Sequence, residues 1–142
     1  MGDCDGSYDF SESFRLLEKL REGFGLVVGS RYLGGIEKGA MPFLHRCIGV
    51  PFLSTLGRWR YKVEISDFHC GLRGFDRKTA RRLGLKSEGM EFATELIGRF
   101  AQAGEKICEV PVRLRRDKRG GRSHLRTVPD GFRHLRLIFK GK

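Results

Sequence analysis

Two carboxylates one residue apart, set in a turn bounded by glycines, open this chain as Gly2-Asp3-Cys4-Asp5-Gly6. Carboxylate oxygens are hard ligands suited to Mg²⁺ or Mn²⁺, and such an ion fills its other positions with water and substrate phosphate. The pair therefore suggests a diphosphate-bearing substrate. Taken alone, the same tripeptide also suits an ordinary surface turn, where Asp and Gly serve local hydrogen bonds and positive φ.

Farther along, alternation and helical spacing outline an α/β chain. Asp9 with Glu12 three residues on makes a capping-box-like start, and Phe10, Phe14, Leu17 and Phe24 predict the apolar stripe of a helix ending near Gly23. Gly25 to Gly29 is a short strand-like run that delivers Ser30-Arg31-Tyr32 to the strand's end, where Arg31 is placed to meet phosphate. Residues 42–62 carry Leu44, Ile48, Phe52, Leu56 and Trp59 on one helical face, flanked by His45, Arg46, Arg58, Arg60 and Lys62. A basic amphipathic segment of this kind fits an interfacial helix, with Pro51 marking a break; a core helix with solvated basic residues is the alternative. Helices are also expected over 78–85 and 91–103, with Glu91 and Glu95 as exposed-face charges and Gly104 as the stop. Cys108, Val110, Val112 and Leu114 alternate around Pro111, which suits an edge strand. Residues 128–140, with Phe132, Leu135, Ile138 and Phe139 against Arg133, Arg136 and Lys140, make a second candidate interfacial helix.

Charge narrows the partners. The 142 residues suit one domain, and 28 Lys+Arg against 17 Asp+Glu give +11, which favours polyanions such as nucleic acid, acidic lipid or phosphorylated substrates. Residues 115–126 concentrate this charge as six cations and one carboxylate with two glycines, a loop suited to grasping phosphate. Nucleic acid is not the expected partner: no recognised nucleic-acid motif is present, and the aromatics lie in apolar stripes instead of interleaving with the basic loop. The four cysteines Cys4, Cys47, Cys70 and Cys108 are far apart without a C-x-x-C, so they read as free thiols. No 18-residue apolar run occurs, so any membrane contact of these residues is expected to be peripheral.

Four ordered stretches, residues 3–10, Val28-Gly29-Ser30-Arg31-Tyr32, residues 66–75 and Gly89-Met90-Glu91-Phe92-Ala93, together resemble a family 2 glycosyltransferase, closest to the dolichyl- or polyprenyl-phosphate sugar synthases. The resemblance implies an incomplete, Rossmann-like GT-A domain. In that family a β-α-β nucleotide-binding half and an apolar strand precede the D-x-D, and these residues resemble only the C-terminal portion. It further implies an inverting transfer of sugar from a nucleotide-sugar donor to a polyprenyl-phosphate acceptor, at the inner, cytoplasmic face of an anionic membrane surface. By resemblance, Asp3 and Asp5 would hold Mg²⁺ or Mn²⁺. Asp67 matches the family's catalytic base or acceptor-orienting carboxylate, and Arg31, Arg46, Arg122 and His124 match positions near the acceptor phosphate. Within residues 66–75, His69 and Arg73 read as an ordinary hydrogen-bonding His and a solvated Arg. Ser7 departs from the pattern, since several synthases carry a metal-assisting glutamine there. The rival reading is a truncated, non-catalytic fragment that binds anionic membrane or another chain through its basic surface.

Overall fold

A computed structural model describes the backbone of residues 1–117 and 127–140, and the side chains of residues 1–117 and 131–139. Its centre is β1 (Leu26–Ser30), every residue of which is buried. A run of Leu-Val-Val without alternation is what a strand covered on both faces requires. Order in the sheet is β2-β1-β3, with β2 (Arg73–Phe75) antiparallel to β1 and β3 (Ile107–Pro111) parallel to it, placing Val28 opposite Arg73 and Glu109. Outside β2, Met1 and Arg73 exchange backbone hydrogen bonds of 2.8 and 2.9 Å, which lays the approach to the D-x-D along the sheet's edge.

Helices cover this sheet in the expected order, with differences in which face is buried. The first comprises a 3₁₀ turn (Phe10–Glu12) and α1 (Ser13–Arg21). Its predicted stripe is corrected: Phe10, Phe14 and Leu17 are exposed, while Leu16 is buried on the core and Leu20 packs against it. The 3₁₀ start shifts the helical phase by about one position, so the inward face is the neighbouring one. Glu12 does not complete a capping box either, because its Oε2 accepts the N–H of Arg113 at 2.9 Å.

Short α2 (Arg31–Gly34) follows β1 directly, with the Ser30 hydroxyl accepting the N–H of Leu33. A π-type turn (His45–Gly49) then leads into α3 (Val50–Tyr61), with Pro51 at its start as expected of a break. Helix α3 buries Ser54, Gly57 and Tyr61 and exposes Phe52 and Trp59. A Cβ on Gly57 would sit 2.5 Å from the Phe68 ring, so this helix passes too close to the core for a side chain there. Of the predicted face, Leu44, Ile48, Phe52 and Trp59 are exposed, as is Phe43, while Leu56 is partly buried against the core.

Beyond β2 come α4 (Arg77–Leu83), capped by Asp76, and α5 (Phe92–Gln102), which buries Leu96, Ile97 and Phe100. The final helix, α6 (Thr127–Lys140), packs on α3 and α5. No helix among the described residues is long and apolar enough to cross a membrane. Cys4 and Cys47 are exposed, Cys70 is buried and Cys108 partly so; all four are free thiols.

Candidate active site

The segment from Ser66 to Phe75 brings the other parts together. At its start, the Asp67 carboxylate is fully buried and grips Arg31 at 2.6 Å to Nε and 2.7 Å to Nη2. Backbone N–H groups of Arg31 and His69 complete its acceptor capacity at 3.1 and 3.2 Å. Burial works to strip the proton from the Arg31 guanidinium, but the hydrogen bond and charge of Asp67 outweigh it and hold the cation firmly. With Nε and Nη2 committed, the Nη1 edge of Arg31 is the part of the fork not spent on Asp67. Asp67 thus sits where it orients a cation, enclosed by donors on both oxygens.

A chain of hydroxyls supports this clamp from the sheet side. Ser30 Oγ lies 2.8 Å from Ser66 Oγ, and Glu109 Oε2 on β3 accepts both the Ser66 N–H at 2.8 Å and its hydroxyl at 2.9 Å. Glu109 was not legible as a site residue. Its only signal is a lone carboxylate between Cys108 and Val110 in a strand, facing opposite to them.

Four residues after Asp67, the same loop meets the D-x-D turn. A Cβ on Gly71 would collide with the Asp3 carboxylate, so the two segments approach backbone to carboxylate. The buried Tyr8 hydroxyl accepts the Gly71 N–H at 3.1 Å, and Asp5 Oδ1 accepts the Ser7 N–H at 2.9 Å, which closes the turn. Asp3 is exposed and Asp5 half-buried. Ser7, where the resembled family carries glutamine, is buried, and its carbonyl accepts the N–H of Arg115 at 2.8 Å. The Arg115 guanidinium also pairs with Asp9 at 2.9 Å, and Arg116 Nε donates to the Lys38 carbonyl at 2.7 Å. The root of the basic stretch therefore stands on the D-x-D turn. Arg122 and His124 of that stretch lie outside the described residues. Arg46 is exposed in the π-type turn, and its carbonyl accepts the Tyr32 hydroxyl at 2.8 Å, which ties the turn to the residue next to Arg31.

Three expectations are corrected. Arg73 is not solvated: it is buried and donates to the carbonyls of Phe68, Cys70 and Ala93 at 2.7 to 2.9 Å, a brace for the turn that follows Asp67. Glu95 is not an exposed-face charge, because its carboxylate is buried and accepts the N–H groups of Lys86 and Ser87. His69 is more than a loop hydrogen-bonder: it stacks edge-on against His134 of α6 with ring centroids 4.5 Å apart. His134 Nδ1 is 3.4 Å from His69 Nε2 and 2.9 Å from Thr94 Oγ1.

No protein-family model matches the chain. Individual relatives do. The chain is 39% identical over 139 residues to the low-salt glycan biosynthesis hexosyltransferase Agl6 of Haloferax volcanii, covering 97% of this chain and 33% of that protein. Identity is 31% over 113 residues to the polyprenol monophosphomannose synthase of Mycolicibacterium smegmatis, covering 78% of this chain and 42% of the relative. It is also 31% over 113 residues to the undecaprenyl-phosphate mannosyltransferase of Micrococcus luteus, covering 78% and 46%. The chain thus spans between a third and a half of the length of these relatives. Its mixed α/β fold with a three-stranded sheet is compatible with part of a glycosyltransferase domain. By sequence, the chain belongs to a glycosyltransferase family like that of the polyprenyl-phosphate sugar synthases.

Proposed function

We propose that these residues form the acceptor side of an inverting GT-A glycosyltransferase that passes a sugar from a nucleotide-sugar to a polyprenyl phosphate. The observation that carries this reading is convergence: the Asp3/Asp5 turn, the Arg31–Asp67 clamp and the root of the basic stretch meet around one loop. In such a transfer an oxygen of the acceptor phosphate attacks the anomeric carbon and forms the new C–O bond. The bond to the nucleotide diphosphate breaks on the opposite face and carries its electron pair away. The attacking phosphate is already an anion at neutral pH, so no proton need be removed. Asp67, enclosed by donors, accordingly acts by orienting Arg31 toward that phosphate.

Asp3 and Asp5 fit a divalent cation as a partial cage. Their donors are hard oxygens on one turn, and among the described residues no group of three His, Cys, Asp or Glu forms a closed site. Such a pair leaves most positions to water and diphosphate oxygens, which suits Mg²⁺ or Mn²⁺. A bound ion would offset charge on the departing diphosphate. The outward Phe43, Leu44, Ile48, Phe52 and Trp59 beside a chain of net charge +11 support placement at the inner face of an anionic membrane. Arg46, Arg122 and His124 are the further candidates for the acceptor phosphate.

A graft tests the reading without depending on where this chain begins. The matching segment of the Haloferax hexosyltransferase is replaced by these 142 residues, and transfer of radiolabelled sugar to polyprenyl phosphate is measured across a nucleotide-sugar panel with and without Mn²⁺. Metal-dependent transfer that disappears in Asp3→Asn is expected. A folded graft that is inactive with every donor contradicts the proposal and favours the non-catalytic alternative.

A further inference from the structure

We propose that the cleft beyond the C-terminal end of α3 is a second phosphate-binding site, which takes a phosphate-bearing lipid head group between Arg58 and Lys62. This inference rests on the membrane reading above. The cleft, of about 660 Å³, is lined on the α3 side by Thr55, Arg58, Trp59 and Lys62, and on the other by Glu64, Ser66 and Glu109.

The first observation is backbone conformation. Lys62 closes α3 in the left-handed region at φ 54° and ψ 45°, and among the described residues it is the one non-glycine with positive φ. Its N–H donates to the Arg58 carbonyl at 2.8 Å, the ordinary closing bond of a helix whose next residue is most often glycine. Glycine adopts that conformation without strain, whereas a lysine there is disfavoured by its Cβ. A strained residue that persists points to a use for its side chain. The second observation is orientation: Arg58 Nη2 donates to Thr55 Oγ1 at 3.1 Å, one turn back along the same face. Arg58, in the last turn of α3, and Lys62, just past its end, both line the cleft.

The third observation is what lies along that face. Trp59 is 72% exposed and Phe52, seven residues earlier on the same face, is 59% exposed, so the cation pair sits at the edge of an apolar surface. Lipid head groups occupy that level of a bilayer, where indoles also settle. Two features oppose an anion: the carboxylate of Glu64 and the negative end of the α3 dipole. Glu109 is less opposed, since its Oε2 is held by two donors from Ser66. The exposed Glu64 gives the proposal a sign that a generic basic surface lacks.

Trp59 is the chain's sole tryptophan, so its emission reports this cleft. The probes are vesicles of phosphatidylcholine alone, with phosphatidylglycerol, and with polyprenyl phosphate, scored by co-sedimentation and by Trp59 emission. The parent should bind both charged vesicle types with a blue shift. Lys62→Gly should raise Tm by relieving the backbone yet weaken binding about fivefold and lose the shift, which is the effect of one cation near an anionic surface. Glu64→Gln should tighten binding, and Arg81→Ala on distant α4 should leave the shift intact. A shift with phosphatidylglycerol assigns the site to bulk lipid, and a shift with polyprenyl phosphate alone assigns it to the acceptor's own head group. Binding that survives Lys62→Gly with its blue shift overturns this proposal while leaving the membrane reading standing. Failure of the parent to bind any charged vesicle at low salt overturns both.

Discussion

Removing Asp67 alone should cost far more than removing Asp67 and Arg31 together. The Asp67 side chain is 0% exposed and that of Arg31 10%, with 2.6 Å between them, so Asp67→Ala leaves a guanidinium in the interior without its counter-charge. Breaking a buried pair from one side costs about 3–5 kcal/mol, because the remaining charge keeps its desolvation penalty and loses its partner. For a chain of 142 residues that corresponds to a fall in Tm of about 10–15 °C. In Arg31→Met/Asp67→Asn the buried cation is gone; the backbone N–H groups of residues 31 and 69 bond to different oxygens of Asp67, so the single amide oxygen keeps one of the two bonds, and stability should return to within about 2 kcal/mol of the parent. Urea unfolding followed by circular dichroism at pH 7 measures all three proteins. A loss below about 1 kcal/mol in Asp67→Ala, or a double variant no more stable than the single, would refute the clamp as described.

Two further outcomes follow from the same loop. Burial, then the neighbouring His134, Arg73 and Arg31, hold the His69 pKa well below its usual value, so the fold keeps it neutral while the unfolded chain takes up a proton near pH 6.5. Stability is therefore fully present above about pH 6.5 and falls as the pH drops toward 5, a slope that His69→Gln should flatten in pH-dependent urea unfolding; an unchanged slope would contradict it. Gly71→Ala places a methyl group against the Asp3 carboxylate, so Mn²⁺ binding, measured by electron paramagnetic resonance titration, should be weak in the parent and about tenfold weaker in the variant. Equal affinity in the two would remove Asp3 from the metal site.

The parts of the fold set by local periodicity were legible in the sequence. Leu26-Val27-Val28 declares a covered strand, Gly104 with φ 72° ends α5 where expected, and alternation through Cys108 and Val110 marks the edge strand β3. The face of a helix was harder to read. In α1 a 3₁₀ turn rotates the phase so that Leu16 turns inward in place of Phe14, and in α3 the small Ser54 and Gly57 turn inward beside Tyr61 because the Phe68 ring lies against Gly57. Long-range pairings left no local trace. Arg31 and Asp67 stand 36 residues apart and Ser66 and Glu109 stand 43 apart, so nothing in either neighbourhood tells a buried, paired Arg or Glu from a solvated one. Arg73 shows the same limit, since its guanidinium is satisfied by three carbonyls that only the folded loop brings together.

Whether Arg31, held by Asp67, receives the acceptor phosphate is read directly from the KM for polyprenyl phosphate in the Haloferax graft. Arg31→Met/Asp67→Asn is the informative variant, because it removes the cation while retaining most of the stability. Losing a hydrogen bond to a charged group is worth about 1.5–3 kcal/mol, so the acceptor KM should rise about tenfold or more while the nucleotide-sugar KM changes by less than about twofold. An acceptor KM that stays at the parent value in a folded, active double variant would contradict the account.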